Sequence, residues 1–435
     1  MGIETNVVGH VAATDDPTVG DSAELEGAAP ATGSNLRGKR VGMVVFSSYP
    51  ADPRPRRAAE ALVKEGMHLD LICEADEKLP KRENVSGMEI IRIPIKHHRG
   101  GKLSYAYQYS AFIFMSASFL ALRSLRRRYD LVYIHNMPDV LVLSALIPRI
   151  FGAKVILDLH DPMPELMTTI FNLDKASAAV RLIGRLEKWS MALADRVVTV
   201  NIACKRIFGS RSCRPEKIEV IMNSPDENVF RFRPLRADTS ANKGSRHPFI
   251  IMYHGSLVER NGLDLAVDAL AQVREIVPDA ELRIYGRKTP FLERVMEDVS
   301  KRGLNKSVRY LGPKRLEDLV PAIDDCHVGV IPNHRNAFTE INTPTRIFEY
   351  LAMGKPVIAP STPGILDYFT EDSLLLVESG NSSDIARQIE YVALNYQEAI
   401  RVAERGQQIY LKHTWQQQRR TLVELVSGLL APGAA

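Results

Sequence analysis

The sequence predicts an α/β protein made of two doubly wound parallel-sheet domains facing across a cleft. Three observations carry that expectation. Short, near-continuous apolar runs alternate with stretches of helical periodicity, the texture of strands covered on both faces by helices. The rhythm stops once, over a polar stretch after Phe230, and then restarts. The 435 residues suit two or three domains rather than one.

Taken in order, residues 1–36 hold six acids and no Lys or Arg, without any period or apolar signal segment. They read as a disordered tail. The first domain, 37–230, opens on Arg40-Val-Gly-Met-Val-Val-Phe46, and a helix pattern follows from Arg56 to Lys64. Further apolar runs are Leu69–Cys73, Glu89–Ile93, Asp130–His135, Lys154–His160 and Arg196–Val200. Residues 231–247 are polar and aperiodic, a linker. The second domain, 248–411, has runs at Phe249–Tyr253, Glu281–Tyr285, Val308–Leu311, Val328–Ile331, Pro356–Ala359 and Leu374–Val377. A last helix, about Trp415 to Leu430, lies in the closing segment 412–435. Ligands of such sheets bind beyond the carboxyl ends of the strands, so functional residues are expected there.

Composition narrows the function. An apolar fraction of 45% excludes wholesale disorder, and a formal charge of +4 is too small and diffuse for a dedicated nucleic-acid binder. The four cysteines lie far apart with no metal-ligand spacing, which fits free thiols in a reducing compartment. The longest apolar stretch, Ala111–Leu122, falls short of the roughly 20 residues a bilayer span requires. A cytoplasmic protein is expected. GxGxxG, GxxxxGK[ST] and HExxH are missing, as are two Asp spaced two apart. That speaks against a dehydrogenase or P-loop NTPase and leaves no obligatory metal or other cofactor expected.

The most informative stretch is Glu340-Ile-Asn-Thr-Pro-Thr-Arg-Ile-Phe-Glu349-Tyr-Leu-Ala-Met-Gly-Lys-Pro-Val-Ile-Ala359. Thr343 suits an N-cap and Pro344 the first helical position. Such a helix start offers free amides and a positive dipole end to an anion. Arg346 adds a possible bidentate phosphate contact. Glu349, farther along, can accept hydrogen bonds from a vicinal diol, and Gly354 ends the helix. The plain alternative is an amphipathic helix whose Glu and Arg are solvated.

This stretch resembles the signature of family 4 glycosyltransferases, retaining enzymes of the GT-B fold. Tyr253-His-Gly-Ser-Leu-Val-Glu-Arg-Asn-Gly-Leu-Asp264, Ile221-Met-Asn-Ser-Pro-Asp226, Ala194–Val200 and Leu157-Asp-Leu-His160-Asp-Pro-Met-Pro-Glu165 are similar to further family blocks. The resemblance implies transfer of a sugar from a nucleotide sugar to an acceptor, without a metal. It implies that Glu349 holds the ribose hydroxyls and that His160 lies by the donor sugar. Donor phosphates would be met by Arg260, by the Gly255–Ser256 turn and by the segment Asn342, Thr343 and Thr345. Ser256 and Asn261 stand where the family has its basic pair, with Arg260 beside them. Ile341 replaces the family's first motif acid, with Glu340 one step away; both stay among the expected donor-binding residues.

Other expectations concern the acceptor side. Asp161 either orients the His160 ring or caps the next turn. His135 ends the neighbouring run and ranks below His160. The loop Ser47-Ser-Tyr49-Pro-Ala-Asp-Pro-Arg54-Pro-Arg-Arg57 borders acceptor and donor diphosphate in the family. Arg54, Arg56 and Arg57 either grip an anion there or form a solvated helix start. From Arg92 to Arg128 there are eight Lys or Arg and no acids, around an aromatic run at Tyr105–Tyr109. That suits peripheral contact with an anionic membrane and a lipid-linked acceptor, or else an apolar core with a solvated rim. The overall expectation is a retaining glycosyltransferase using a nucleoside-diphosphate sugar and a glycan or lipid-linked acceptor. Its rivals are a non-catalytic sugar-nucleotide-binding subunit and a nucleotide-sugar epimerase.

Overall fold

The computed structural model describes residues 35–95, 102–171, 173–174, 176–235 and 248–431, with 102–106 given by their backbone. Most of the expected tail and linker, and residues 96–101, lie outside those residues. Two compact units result. One holds the chain up to Val200, Cys204–Ile221 and Arg419 onward; the other holds Asn201–Ala203 and Met222–Gln418.

The first unit comprises β1 (Arg40–Ser48), α1 (Pro53–Lys64), β2 (His68–Glu74), β3 (Arg82–Val85), β4 (Met88–Ile93), α2 (Lys102–Arg126), β5 (Leu131–His135), α3 (Leu146–Ile150), β6 (Lys154–Leu159), α4 (Met163–Phe171), α5 (Ala178–Leu193), β7 (Arg196–Thr199), α6 (Ile202–Arg211) and β8 (Ile218–Val220). Its sheet runs β3-β4-β2-β1-β5-β6-β7-β8, parallel except for the β3–β4 pair. Residues 41–47 of β1 and all of β5 are buried, as strands covered on both faces require. β2 lies on one side of β1 and β5 on the other, so the winding reverses there and the carboxyl ends of β1 and β5 open a crevice.

The second unit repeats the plan with β9 (Ile250–His254), α7 (Leu263–Val273), β10 (Glu281–Tyr285), α8 (Pro290–Lys301), β11 (Val308–Tyr310), α9 (Leu316–Asp325), β12 (Val328–Val330), α10 (Thr345–Ala352), β13 (Val357–Pro360), α11 (Pro363–Leu366), β14 (Leu375–Val377), α12 (Ser382–Leu394) and α13 (Tyr396–Lys412); α14 (Trp415–Leu429) follows and from Arg419 onward belongs to the first unit. The second unit's all-parallel order is β11-β10-β9-β12-β13-β14, with the reversal between β9 and β12. One apolar core of β9–β14 residues packs on α7, α8 and α12.

Two strands escape the sequence reading. β3 is polar and largely exposed, an antiparallel edge held by the Arg92–Glu83 ion pair at 2.6 Å. β8 has only three residues. All four cysteines are free thiols, three of them buried. Among the described residues, no helix is long and apolar enough to cross a membrane.

Candidate active site

In the first unit the parallel β5–β6 register sets His135 beside Asp158, and His160 follows β6 directly. His135 Nδ1 lies 3.1 Å from His160 Nε2 and 3.4 Å from Asp158 Oδ2. Arg54 grips the Asp158 carboxylate: Nη2 donates to Oδ1 at 2.7 Å, and Nε lies 3.0 and 3.2 Å from the two oxygens. A further donor, Tyr133 OH, reaches Oδ2 at 3.1 Å. The Asn136 side chain accepts the His160 backbone N–H at 2.8 Å and donates to Asp139 at 2.9 Å.

Burial pushes His135 down to about 4 and lowers His160 as well, so both rings are neutral at pH 7. Burial alone would raise Asp158, but Arg54 and the two imidazoles hold it down to about 2. These charges assign the tautomers. An ionised carboxylate only accepts, so His135 carries its proton on Nδ1, facing Asp158 and His160. Its Nε2, buried without a partner, is then a lone pair rather than an orphaned donor. His160 Nε2 in turn accepts, which leaves the His160 proton on Nδ1. The fixed tautomer suits a neutral hydrogen-bond donor.

His135, Asp158 and His160 bring three ligand-type atoms within 4.8 Å of one another. The set does not suit a divalent cation, because a permanent guanidinium already lies on the carboxylate.

Two residues of the Ser47–Arg57 segment sit differently from the sequence expectation. Arg54 is neither a free anion clamp nor a solvated helix start: its head is buried on Asp158 and donates to Ile221 O at 2.8 Å. Asp52 caps α1 by accepting from Arg54 N, and the Pro-Arg-Pro turn carries the side chain toward the sheet. Tyr49 is buried, its hydroxyl on Met88 Sδ at 3.9 Å and pushed up to about 12 by burial. Arg57 lies half-buried on α1. The Asp161 carbonyl accepts from Asn136 Nδ2 at 3.4 Å, and the His135 ring lies against His160.

In the second unit His254, which ends β9, is a site residue that the sequence alone does not single out. Its Nε2 donates to Glu349 Oε2 at 2.6 Å, and its Nδ1 meets the Tyr350 hydroxyl at 2.8 Å. Arg346 Nη1 donates to His254 O at 2.6 Å while its guanidinium stacks over Tyr253, 4.9 Å from the ring centroid. Gly255 packs against that Arg346 side chain. The Ser256 carbonyl accepts from Tyr253 OH and Asn261 Nδ2, both at 2.9 Å, which fixes the turn. Arg260 lies over the Phe338 ring at 5.7 Å. Gly262 has φ 67°, and a side chain there would stand 2.0 Å from Pro332 O. The signal for His254 was its place: like His135 and His160, it stands at a strand's carboxyl end.

Helix α10 begins one residue later than expected, with Pro344 as its cap. Thr343 cannot cap because its hydroxyl donates to Gly364 O at 2.6 Å and accepts from Asn201 Nδ2 at 3.1 Å. Asn201 also donates to Ile341 O at 2.8 Å, and Thr345 Oγ1 donates to Asn223 O at 3.1 Å. Glu340 is paired with Arg335 at 2.9 Å, and Asn342 is half-buried on the same segment. Lys355, of the Gly-Lys-Pro run, is buried and donates to Asp324 O and Cys326 O.

Comparison with known proteins defines the class. Residues 51–224 match the glycosyl transferase 4-like domain family, and residues 248–395 match glycosyl transferases group 1. The sucrose-phosphate synthase of Thermosynechococcus elongatus superposes with a TM-score of 0.71 at 18% identity, over 90% of this chain and 99% of that one. Anabaena HepE in complex with UDP gives 0.64 at 17% identity, over 90% and 100%. The chain is a glycosyltransferase of the GT-B fold, related to family 4. Among curated relatives, a D-inositol 3-phosphate glycosyltransferase of Corynebacterium urealyticum is 24% identical over 86% of this chain and 89% of its own length. A GDP-mannose-dependent monoacylated alpha-(1-6)-phosphatidylinositol monomannoside mannosyltransferase of Corynebacterium glutamicum is 29% identical over 41% and 47%.

Proposed function

We propose that this chain moves a sugar from a nucleoside-diphosphate sugar to a glycan or lipid-linked acceptor, with retention at the anomeric carbon, in polysaccharide or glycoconjugate biosynthesis at the cytoplasmic side of a membrane. The observation that carries the reading is the second unit's cluster of Glu349, His254 and Arg346 beside the Gly255–Ser256 turn. Glu349 accepts from the ribose diol while His254 holds the carboxylate in place. Arg346, Arg260 and the amides of Asn342, Thr343 and Thr345 meet the diphosphate, with Ser256 and Asn261 shaping the turn and Glu340 and Ile341 flanking the sugar. No step draws on a metal. The curated relatives named above act on a soluble and a lipid-borne inositol derivative, which supports a hydroxyl acceptor of that general kind.

In the reaction the bond from the anomeric carbon to the diphosphate oxygen breaks as the acceptor oxygen approaches on the same face. The acceptor proton passes to the departing phosphate oxygen, so no enzyme nucleophile is required. His160, neutral and donating from Nδ1, steadies the sugar at the reacting centre. Tyr49, Arg54, Arg57, His135 and Asp161 shape the acceptor side, Arg54 and His135 acting through Asp158 and His160. Fixed donors facing the growing phosphate charge lower the barrier.

The test is release of nucleoside diphosphate from UDP-, GDP- and ADP-sugars with a crude lipid acceptor, for wild type and Glu349→Ala. Release from one donor that requires acceptor and vanishes in the variant supports the proposal. A new nucleotide sugar without acceptor points to the epimerase. Donor binding without turnover across soluble and lipid acceptors points to the binding subunit.

A further inference from the structure

In the first unit helix α2 packs against α3, and α2, α3 and α5 all pack against the turn Asp139–Ala145. Their outward surface is unusual in two ways. Large apolar side chains stand in solvent on all three. On α2 these are Phe114, Leu122 and Leu125, at 73%, 66% and 68% exposure, which fall on one side of the helix at spacings of eight and three. Ile150 closes α3 at 77% exposure. On α5, Leu182, Leu186 and Trp189 follow at spacings of four and three, again one stripe.

The charges these three helices carry are all positive but for Glu187. Arg126, Arg127 and Arg128 are exposed at the end of α2, and Arg181, Arg185 and Lys188 flank the α5 stripe. No acid occurs between Ile93 and Tyr129 or between Val140 and Leu157. The one acid on α5, Glu187, is fully buried and spent on Arg211 at 2.7 Å and Ser212 at 2.5 Å. A protein partner's interface core is depleted of such uniform charge. Apolar and indole groups interleaved with cations suit a surface whose hydrocarbon lies beneath phosphate.

We propose that the outer face of α2, α3 and α5 docks this protein on an anionic phospholipid bilayer. It deepens the reading of a lipid-linked acceptor above and rests on that reading for its purpose, although bilayer binding itself is measurable without turnover. Phe114, Leu125, Ile150, Leu186 and Trp189 enter the headgroup boundary, and the six cations meet lipid phosphates. Each Lys or Arg near an anionic leaflet strengthens binding about fivefold, and added salt weakens it.

The experiment is cosedimentation of the full chain with sucrose-loaded vesicles of phosphatidylcholine, with and without phosphatidylglycerol. Binding is expected only with phosphatidylglycerol and falls with salt. Arg126→Ser/Arg127→Ser/Arg128→Ser and, separately, Leu186→Ser/Trp189→Ser should each weaken it at least tenfold with wild-type melting curves. The Arg positions are solvent-exposed, so that variant keeps the test decisive if the other folds poorly. Absence of binding, or binding equal on both vesicles and unchanged in the variants, overturns the proposal. So does a concentration-dependent dimer that Leu186→Ser/Trp189→Ser abolishes, since the face would then pair copies of this chain. Nucleoside diphosphate release measured in parallel with a soluble acceptor reports the glycosyltransferase reading on its own.

Discussion

Arg54→Met separates the role of the buried ion pair from that of any anion clamp. The guanidinium makes three contacts of 2.7–3.2 Å to Asp158, and the side chains are 8% and 2% exposed. Removing one partner of such a pair leaves an uncompensated charge and costs about 3–5 kcal/mol. The Ile221 carbonyl also loses its donor. For a unit of this size, about 2–4 °C per kcal/mol gives a fall of roughly 6–20 °C in Tm. The assay is differential scanning calorimetry of the full chain, following the lower transition. Arg54→Met/Asp158→Asn should recover at least half the loss, because the stranded carboxylate is gone. Acid reports the same pair. Asp158 titrates near 2 rather than its ordinary 3.8, so its contribution is complete above about pH 4 and lost as pH falls toward 2. A single variant melting within about 1 °C of wild type, or a double variant no better than the single, would refute this reasoning.

Three more outcomes follow from the geometry. His135 is held neutral down to about pH 4, against an ordinary 6.5, so stability is full above pH 6.5 and falls below it. About 2 kcal/mol should go between pH 6.5 and 5 from His135, with His160, also lowered by burial, adding a loss in the same direction; urea midpoints should show that slope, and His135→Phe should reduce it without abolishing it. Glu349→Gln should weaken nucleotide binding by calorimetry about 10–100-fold through loss of a charged hydrogen-bond acceptor, with Tm near wild type. Gly262→Ala forces a methyl to 2.0 Å from Pro332 O at a positive φ, so nucleotide affinity and soluble yield should both fall, while Ala269→Gly in the buried face of α7 should cost about 1–2 kcal/mol of stability and leave affinity unchanged.

Most strands were legible because parallel strands covered on both faces are apolar at every position, and β1, β5, β9 and β10 fall where the apolar runs do. β3 carries Arg-Glu-Asn-Val on an exposed edge, so burial wrote nothing into its sequence. Motif spacing placed Glu349 and Arg346 on one short helix, since that relation is local. The relation of His135 to His160 is not local: a register between strands 25 residues apart creates it. Arg54 shows the reverse limit. An Arg among other Arg at a helix start looks solvated until the fold puts a buried carboxylate 104 residues away against it.

Residues 419–431 belong to the first unit. Asn35 Nδ2 donates to Ser427 O at 3.1 Å, and Arg419 reaches the buried Glu65 at 2.5 Å. During synthesis, therefore, the unit made first is the one finished last. At about 5–20 residues per second, the ribosome spends roughly 10–40 s on the intervening second unit. Through that interval Glu65 has no counter-ion from α14 and the flank awaiting that helix stays uncovered. A nascent chain stalled near residue 400 would thus carry the strands of both sheets, with the first unit still lacking α14.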